Sequence, residues 1–342
     1  MKVLVLGYFG YKTNQIDGQT IRTRSIYNLL KEDSNLNLYF FDTQSFQESK
    51  LRIFKLIKLL VSADVVFNIS AHRNLKYLLP LVFLITKVTN KKLNYIAVGG
   101  WLFEFLKNKP IHRYMLKKIN GVYVQTDNLR LTLKSVNFKN VYLLNNFRPL
   151  QFPKVNVVKN NKSETIKLVF MARVHPLKGV NLLFKLEEEI NKAGIENVFI
   201  EIYGPIFKGY EDEFISKLKN SKIEYRGILN PAEIYDVLQK YDLMLFPTKY
   251  YTEGFPGTIL DAYISGLPVI ATKWLNAEEF IEHGKTGFIV PFDDEEAFIQ
   301  QVIDIVNNPE IITKLKEAAL LKREEYSADS AWNILRSVLY NA

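Results

Sequence analysis

The chain has 342 residues, 48% of them apolar and 24% charged, which is enough apolar material for two ordinary cores and excludes a disordered or fibrous chain. It contains no cysteine, which excludes disulfide frameworks, thiolate metal sites, iron–sulfur clusters and a cysteine nucleophile. The formal net charge of +9 conceals an asymmetry: residues 1–160 hold 25 Lys and Arg against 8 Asp and Glu, a formal +17, while residues 161–342 carry −8, so the first half is suited to an anionic partner.

The first seven residues, Met-Lys-Val-Leu-Val-Leu-Gly, form a buried-strand pattern, too short for the apolar core of a secretion signal. Strands are predicted near 2–7, 36–41, 64–69, 93–98, 121–125 and 141–144, with helices near 19–31, 50–61, 73–88, 101–118 and 127–136. Strands separated by helices of this length imply βαβ units and a parallel sheet, with ligands at the carboxyl ends of the strands. On the helix near 50–61, Arg52, Lys55 and Lys58 recur every three residues and form one stripe. Such a helix either packs on a sheet with its polar stripe in water or lies on an anionic membrane surface. Nucleic acid is set aside as a partner, because no Arg-rich recognition helix, stacking aromatic pair or zinc finger is visible. The longest apolar stretch, 77–85, is below the roughly 18 residues that span a bilayer. A cytoplasmic chain, peripheral on the inner face of the membrane, is therefore expected.

Pro149, Pro153 and the polar run 159–163 break the rhythm, so 151–165 is read as a linker between domains 1–150 and 166–326. Strands then recur near 166–171, 198–203, 223–226, 242–246, 268–271 and 287–290, and Asn230-Pro231-Ala232-Glu233 predicts a helix start. The expected class is α/β: two Rossmann-like, doubly wound parallel-sheet domains facing a cleft.

The chemistry concentrates in the second half. A strand ends at Pro247, and a loop with Gly254 and Gly257 opens a helix that Gly266 and Pro268 stop. A glycine-containing loop at a helix start presents backbone N–H groups and a positive dipole end, which suits phosphate. Glu253 before this helix and Asp261 on its second turn are carboxylates suited to sugar diols. Earlier, Arg173 leaves the carboxyl end of a strand and Lys178 opens the next helix. Two cations there suit a diphosphate whose charge grows as it departs. The four histidines show no metal-ligand spacing, and no metal is expected.

These stretches resemble the signatures of the retaining family-4 glycosyltransferases, which have the GT-B fold. Arg173, Lys178 and Gly179 match an Arg-x4-Lys-Gly pattern. Glu253 begins a Glu-x7-Glu motif whose second acid is here Asp261, and Gly266-Leu267-Pro268-Val269-Ile270-Ala271 follows. The resemblance is strong over 166–290 and looser over 1–150. It implies transfer of a sugar from a nucleotide-diphosphate donor, UDP being expected, with retention at the anomeric carbon and no cofactor. By the same resemblance Arg173 and Lys178 neutralise the leaving diphosphate and Glu253 holds donor-sugar hydroxyls. Gly254, Phe255, Pro256, Gly257 and Thr258 line the donor loop, Asp261 takes the ribose, and Gly204, Ile228 and Leu229 form nucleotide-binding turns. In the first domain, Gly18 and Gln19 and, where many members have a histidine, Gly100 and Trp101 are acceptor or phosphate-loop candidates. A helix over 327–342 is expected to cross back onto the first domain, as in relatives. The acceptor implied is a saccharide, in particular a lipid-linked one, as in capsule, O-antigen or exopolysaccharide assembly. The rival readings are a nucleotide-sugar epimerase on the same architecture and a non-catalytic partner subunit.

Overall fold

The computed structural model describes residues 1–13, 15, 17–148, 151–157 and 165–340; Pro149, 158–164 of the predicted linker and the last two residues of the C-terminal segment lie outside the described residues. The chain divides into two units, one of Met1–Gln151 with Tyr326–Ala342 and one of Phe152–Glu325.

In the first unit, β-branched and leucine-rich runs alternate with amphipathic segments. They give β1 (Lys2–Gly7), α1 (Gly18–Lys31), β2 (Asn37–Asp42), α2 (Arg52–Ser62), β3 (Val65–Ile69), α3 (His72–Val88), β4 (Lys92–Ile96), α4 (Leu102–Lys107), α5 (Pro110–Lys118), β5 (Gly121–Val124), α6 (Asp127–Ser135) and β6 (Val141–Leu143). The single helix expected over 101–118 is two, because Pro110 lacks the N–H a continuing helix needs and instead occupies the first turn of α5. All pairings are parallel, in the order β2-β1-β3-β4-β5-β6. One face of the sheet is covered by the inward residues of α2 to α6, among them Leu56, Leu60, Leu79, Val82 and Leu116. The other face packs on α1 through Ile26, Leu29 and Leu30.

The second unit repeats the plan with β7 (Ile166–Met171), α7 (Val180–Lys192), β8 (Val198–Tyr203), α8 (Glu211–Leu218), β9 (Glu224–Tyr225), α9 (Ile234–Leu238), β10 (Leu243–Phe246), α10 (Gly257–Ile264), β11 (Val269–Thr272), α11 (Ala277–Phe280), β12 (Gly287–Val290), α12 (Glu295–Asn307) and α13 (Glu310–Arg323). The helix start expected at Asn230 is a turn instead. The Asn230 side chain accepts from the Ala232 N–H at 3.1 Å, the Glu233 N–H closes on the Asn230 carbonyl at 2.9 Å, and α9 begins one residue later. The strand order is β12-β11-β10-β7-β8-β9, all parallel. This is the doubly wound order in which the winding direction reverses between β7 and β10.

The chain ends in α14 (Ala328–Tyr340), which buries Ala331, Leu335 and Leu339 in the same apolar layer as Val3, Val5 and Phe9 of the first unit. The Tyr340 hydroxyl donates to the Asp33 carboxylate at 2.5 Å.

Candidate functional site

In an open parallel sheet the crevice for a ligand lies outside the carboxyl ends of the two strands where the order reverses. In the second unit those are β7 and β10, which pair directly through Leu168 with Leu243 and Val169 with Met244. β7 ends at Met171, and Arg173 stands exposed two residues beyond. The neighbouring exit, from β8, is drawn in tightly. Gly204 has φ +134°, and a Cβ there would stand 1.8 Å from the Ala172 carbonyl oxygen, so only glycine fits. The Gly204 N–H donates to the Gly227 carbonyl at 2.8 Å and the Tyr225 hydroxyl donates to the Gly204 carbonyl at 2.8 Å. These bonds hold the Gly204 turn against the turn that carries Ile228, which is exposed, and Leu229, which is half-buried.

Lys178 does not open α7 as expected. It ends a short 3-10 turn, Pro176–Lys178, which Gly179 separates from the helix. The Lys249 N–H donates to the Leu177 carbonyl at 2.9 Å and fastens this turn to the segment after β10. The Lys178 ammonium is ion-paired with the Glu253 carboxylate, whose side chain is 13% exposed, and it lies over the Tyr250 ring at 5.8 Å. The Glu253 carboxylate also receives the Thr248 hydroxyl at 3.5 Å, and the Glu253 backbone carbonyl accepts from the Asn276 side chain at 2.8 Å. Thr248 is anchored in turn by the Thr272 hydroxyl, which donates to the Thr248 carbonyl at 2.5 Å. The exits of β10 and β11 thus fix the loop that presents Glu253.

The loop leads into α10. The residue that caps it, Pro256, has no side-chain acceptor for the first-turn amides, and that turn carries no acid. The Thr258 hydroxyl donates to the Met171 carbonyl at 2.8 Å, which sets the start of α10 against the end of β7. Gly254 and Phe255 are buried, and the Phe255 ring stacks on Phe280 at 4.0 Å, which leaves its backbone amide as the group it can offer to the loop. Asp261 is buried, and its carboxylate accepts from the Tyr235 hydroxyl at 3.2 Å. Thr248, Asn276 and Tyr235 were not anticipated. Asn276 and Tyr235 are 23 and 26 residues from the acids they support, and Thr248, only five residues before Glu253, carries no local pattern that marks it.

His175 lies between the two cations. Its Nδ1 accepts from the Leu177 N–H at 2.9 Å, and its ring stands edge-on to Phe207 at 4.2 Å. Burial first, then the positive charges of Arg173 and Lys178, hold its pKa below the ordinary 6.5. A depressed imidazole contributes stability that is complete above the unfolded-state value and is lost as pH falls through that value toward the folded one. A diphosphate placed against Arg173 and Lys178 would offset their charge. The His175 pKa, followed by NMR, is therefore expected to start low and rise on addition of UDP. A value that UDP does not move would separate His175 and its cationic neighbours from the anion site.

A concavity of about 610 Å³ opens beside the same 3-10 turn, lined in part by Leu177, Asn181, Lys217 and Lys249, with none of Arg173, Lys178 and Glu253 among its walls. Its cations are already paired, Lys249 with Glu295 at 2.8 Å and Lys217 with Glu213 at 2.6 Å. Among the described residues no group of three or more His, Asp or Glu could hold a metal ion.

The four candidates of the first half belong to the other unit. Gly18 is the first residue of α1, exposed, with open space where a Cβ would be, so no steric demand for glycine exists there. The helix start is satisfied by Asp17, whose carboxylate accepts from the Gln19 and Thr20 N–H groups at 3.0 and 2.9 Å. The Gln19 side-chain nitrogen is buried and has no partner among the described residues. Gly100 and Trp101 follow β4, two strands from β1 in the sheet, so they do not share the β1 exit with Gly18 and Gln19. The Trp101 indole donates to the Val98 carbonyl at 2.5 Å, and its ring packs on His72 and Phe105.

Comparison with known proteins agrees with this architecture. A family model described as glycosyl transferases group 1 matches residues 152–322. The chain is 25% identical over 234 residues, 65% of its length, to poly(ribitol-phosphate) alpha-N-acetylglucosaminyltransferase of Staphylococcus aureus. It is 24% identical over 162 residues, 44% of its length, to the putative colanic acid biosynthesis glycosyltransferase WcaL of Salmonella typhimurium. The matched stretches cover 45% and 40% of those relatives' own lengths. Among solved structures, Anabaena HepE in complex with UDP superimposes with a TM-score of 0.76 at 14% identity, all of both chains being covered.

Proposed function

The chain belongs to the glycosyl transferases group 1 family and has the GT-B fold, and from that premise we propose that it transfers a sugar from a nucleoside-diphosphate donor to a saccharide acceptor with retention of anomeric configuration. The observation that carries the reading is the convergence at the β7/β10 exits of Arg173, the Lys178–Glu253 pair and the start of α10. Cations, first-turn amides and a helix dipole at one strand edge stabilise a diphosphate, and more so as it gains charge on leaving. UDP is the first nucleotide to test, since the HepE structure contains it.

In the proposed step the bond from the anomeric carbon to the diphosphate oxygen breaks and the bond to the acceptor oxygen forms on the same face. The acceptor's proton passes to the departing phosphate oxygen. Arg173 and Lys178 hold the leaving group. Glu253 orients donor-sugar hydroxyls, with backbone amides of the 254–258 loop assisting. Asp261, buried and held by Tyr235, takes the ribose, and the turns with Gly204, Ile228 and Leu229 flank the base. Gly18, Gln19, Gly100 and Trp101 remain the acceptor-side candidates. No metal or cofactor is assigned a part. The proposed acceptor is a saccharide carried on a lipid at the inner face of the cell membrane. The Staphylococcus and Salmonella relatives, whose names refer to poly(ribitol-phosphate) and colanic acid, favour a surface polymer.

The test is a thermal-shift panel of nucleotide sugars followed by NMR of the transferred product. A donor at about 100 times its Kd is expected to stabilise the protein by roughly 2.7 kcal/mol, and the product is expected to keep the donor's anomeric configuration. No stabilisation by any nucleotide would remove the donor assignment, and an inverted product would remove the retaining mechanism.

A further inference from the structure

The helices on one face of the first unit's sheet carry a surface to which the proposed transfer assigns no residue. α3 packs against α2 on one side and α5 on the other. Their inward residues fill the core beneath. Across these three helices the sequence places nine Lys and Arg and not one Asp or Glu. Among the described residues only one of the nine meets an acid, Arg52 with Glu48 at 3.5 Å.

The same helices expose large apolar side chains. Phe54 on α2, Tyr77, Leu84 and Val88 on α3, and Ile111 and Tyr114 on α5 are each 60–77% exposed. Tyr77, Leu84 and Val88 are spaced seven and four residues apart, so they line one outward stripe of α3 opposite its buried Leu75, Leu79 and Val82. Two of the cations lie over these rings, Lys76 over Tyr77 at 5.0 Å and Lys118 over Tyr114 at 6.0 Å. A helix facing only water would expose charge of both signs and little hydrocarbon. Here the hydrocarbon is exposed and the charge has one sign.

We infer that the outer face of α2, α3 and α5 docks on an anionic lipid bilayer. Aromatic and aliphatic side chains enter the interface between headgroups and acyl chains, and the lysines and arginines meet the lipid phosphates. Charge complementarity selects this occupant: unpaired cations of one sign require an anionic partner, and exposed Phe54, Leu84 and Val88 require an apolar phase beneath the anions. A nucleic acid supplies the first and not the second. The attachment inferred is to the bilayer surface; among the described residues no helix is long and apolar enough to cross a membrane. The inference adds the docking surface to the proposed lipid-borne acceptor, but its evidence is the first unit alone.

The experiment is cosedimentation of the whole chain with vesicles, in the absence of donor and acceptor, so that it can fail while sugar transfer stands and the reverse. The protein is expected to sediment with phosphatidylcholine vesicles containing phosphatidylglycerol and to stay in solution with phosphatidylcholine alone. About 1 M salt, where the screening length is near 3 Å, should release much of it. The combined variant Lys55→Gln, Lys58→Gln, Lys118→Gln, and separately Phe54→Ser with Leu84→Ser, should each lower the vesicle partition coefficient at least tenfold. All five positions are in solvent, so both variants should keep the parent's circular dichroism and melting temperature. Sedimentation that is absent, equal on neutral vesicles or unchanged in both variants would overturn the inference. So would capture by a single-stranded oligonucleotide with none by the anionic vesicles.

Discussion

Glu253→Ala is expected to lower the rate of nucleotide-diphosphate release from the donor by about 100-fold or more, the range seen when one preorganised electrostatic group is removed from a reacting centre. The side chain it deletes is mostly buried, ion-paired with Lys178 and reached by the Thr248 hydroxyl, so its position is set before substrate arrives. Arg173→Ala and Lys178→Ala should each cost more than about tenfold, or roughly 1.4 kcal/mol of barrier. Because Lys178 and Glu253 touch, the double variant Lys178→Ala, Glu253→Ala should fall well short of the product of the two single losses. Steady-state kinetics of the four proteins with one donor would measure this. Rates unchanged in both Glu253→Ala and Arg173→Ala would place the reacting centre elsewhere.

Gly179→Ala should be among the most damaging small changes to stability. Gly179 has φ +79°, and a Cβ there would stand 1.7 Å from the Pro247 carbonyl oxygen. The left-handed conformation costs an L-residue roughly 1–2 kcal/mol, and backbone must move to admit the methyl group. A loss of about 3 kcal/mol or more follows, or roughly 6–12 °C in Tm for a unit of this size. The displaced backbone is that of Pro247, next to Thr248, so donor binding should weaken with stability. A melt of Gly179→Ala within about 1 °C of the parent would mean that this packing is not what holds the turn.

The readability of the site varied with how local its causes are. Arg173, Lys178 and Glu253 stand out because each lies between a strand end and the next helix start, Lys178 and Glu253 directly before a glycine, a pattern contained within a few residues. The β7/β10 exits then bring these residues together, although Lys178 and Glu253 are 75 positions apart. The family resemblance assigns Phe255 to the donor loop. Its stacking on Phe280 depends on α11, and nothing beside it in sequence shows that. The same holds for Tyr235 at Asp261 and Asn276 at Glu253, which are contacts between elements. Near 101–118 the apolar period continued through Pro110, and the missing N–H outweighed it.

The sequence by itself determined the α/β class, the alternation of strands and helices, the surplus of cations in the first half and the spacing of the donor-side motif. Each of these is written in side-chain chemistry over one or two turns of chain. Only the tertiary structure decided the strand orders, and with them which loops share an edge. It also decided which carbonyl Gly179 and Gly204 abut and that, of nine cations on three separate helices, seven are exposed and none is buried, beside exposed aromatic rings. Those facts depend on parallel pairing and helix packing between segments tens of residues apart, where the free energy of burying a common core selects one arrangement among many that local preference leaves equal.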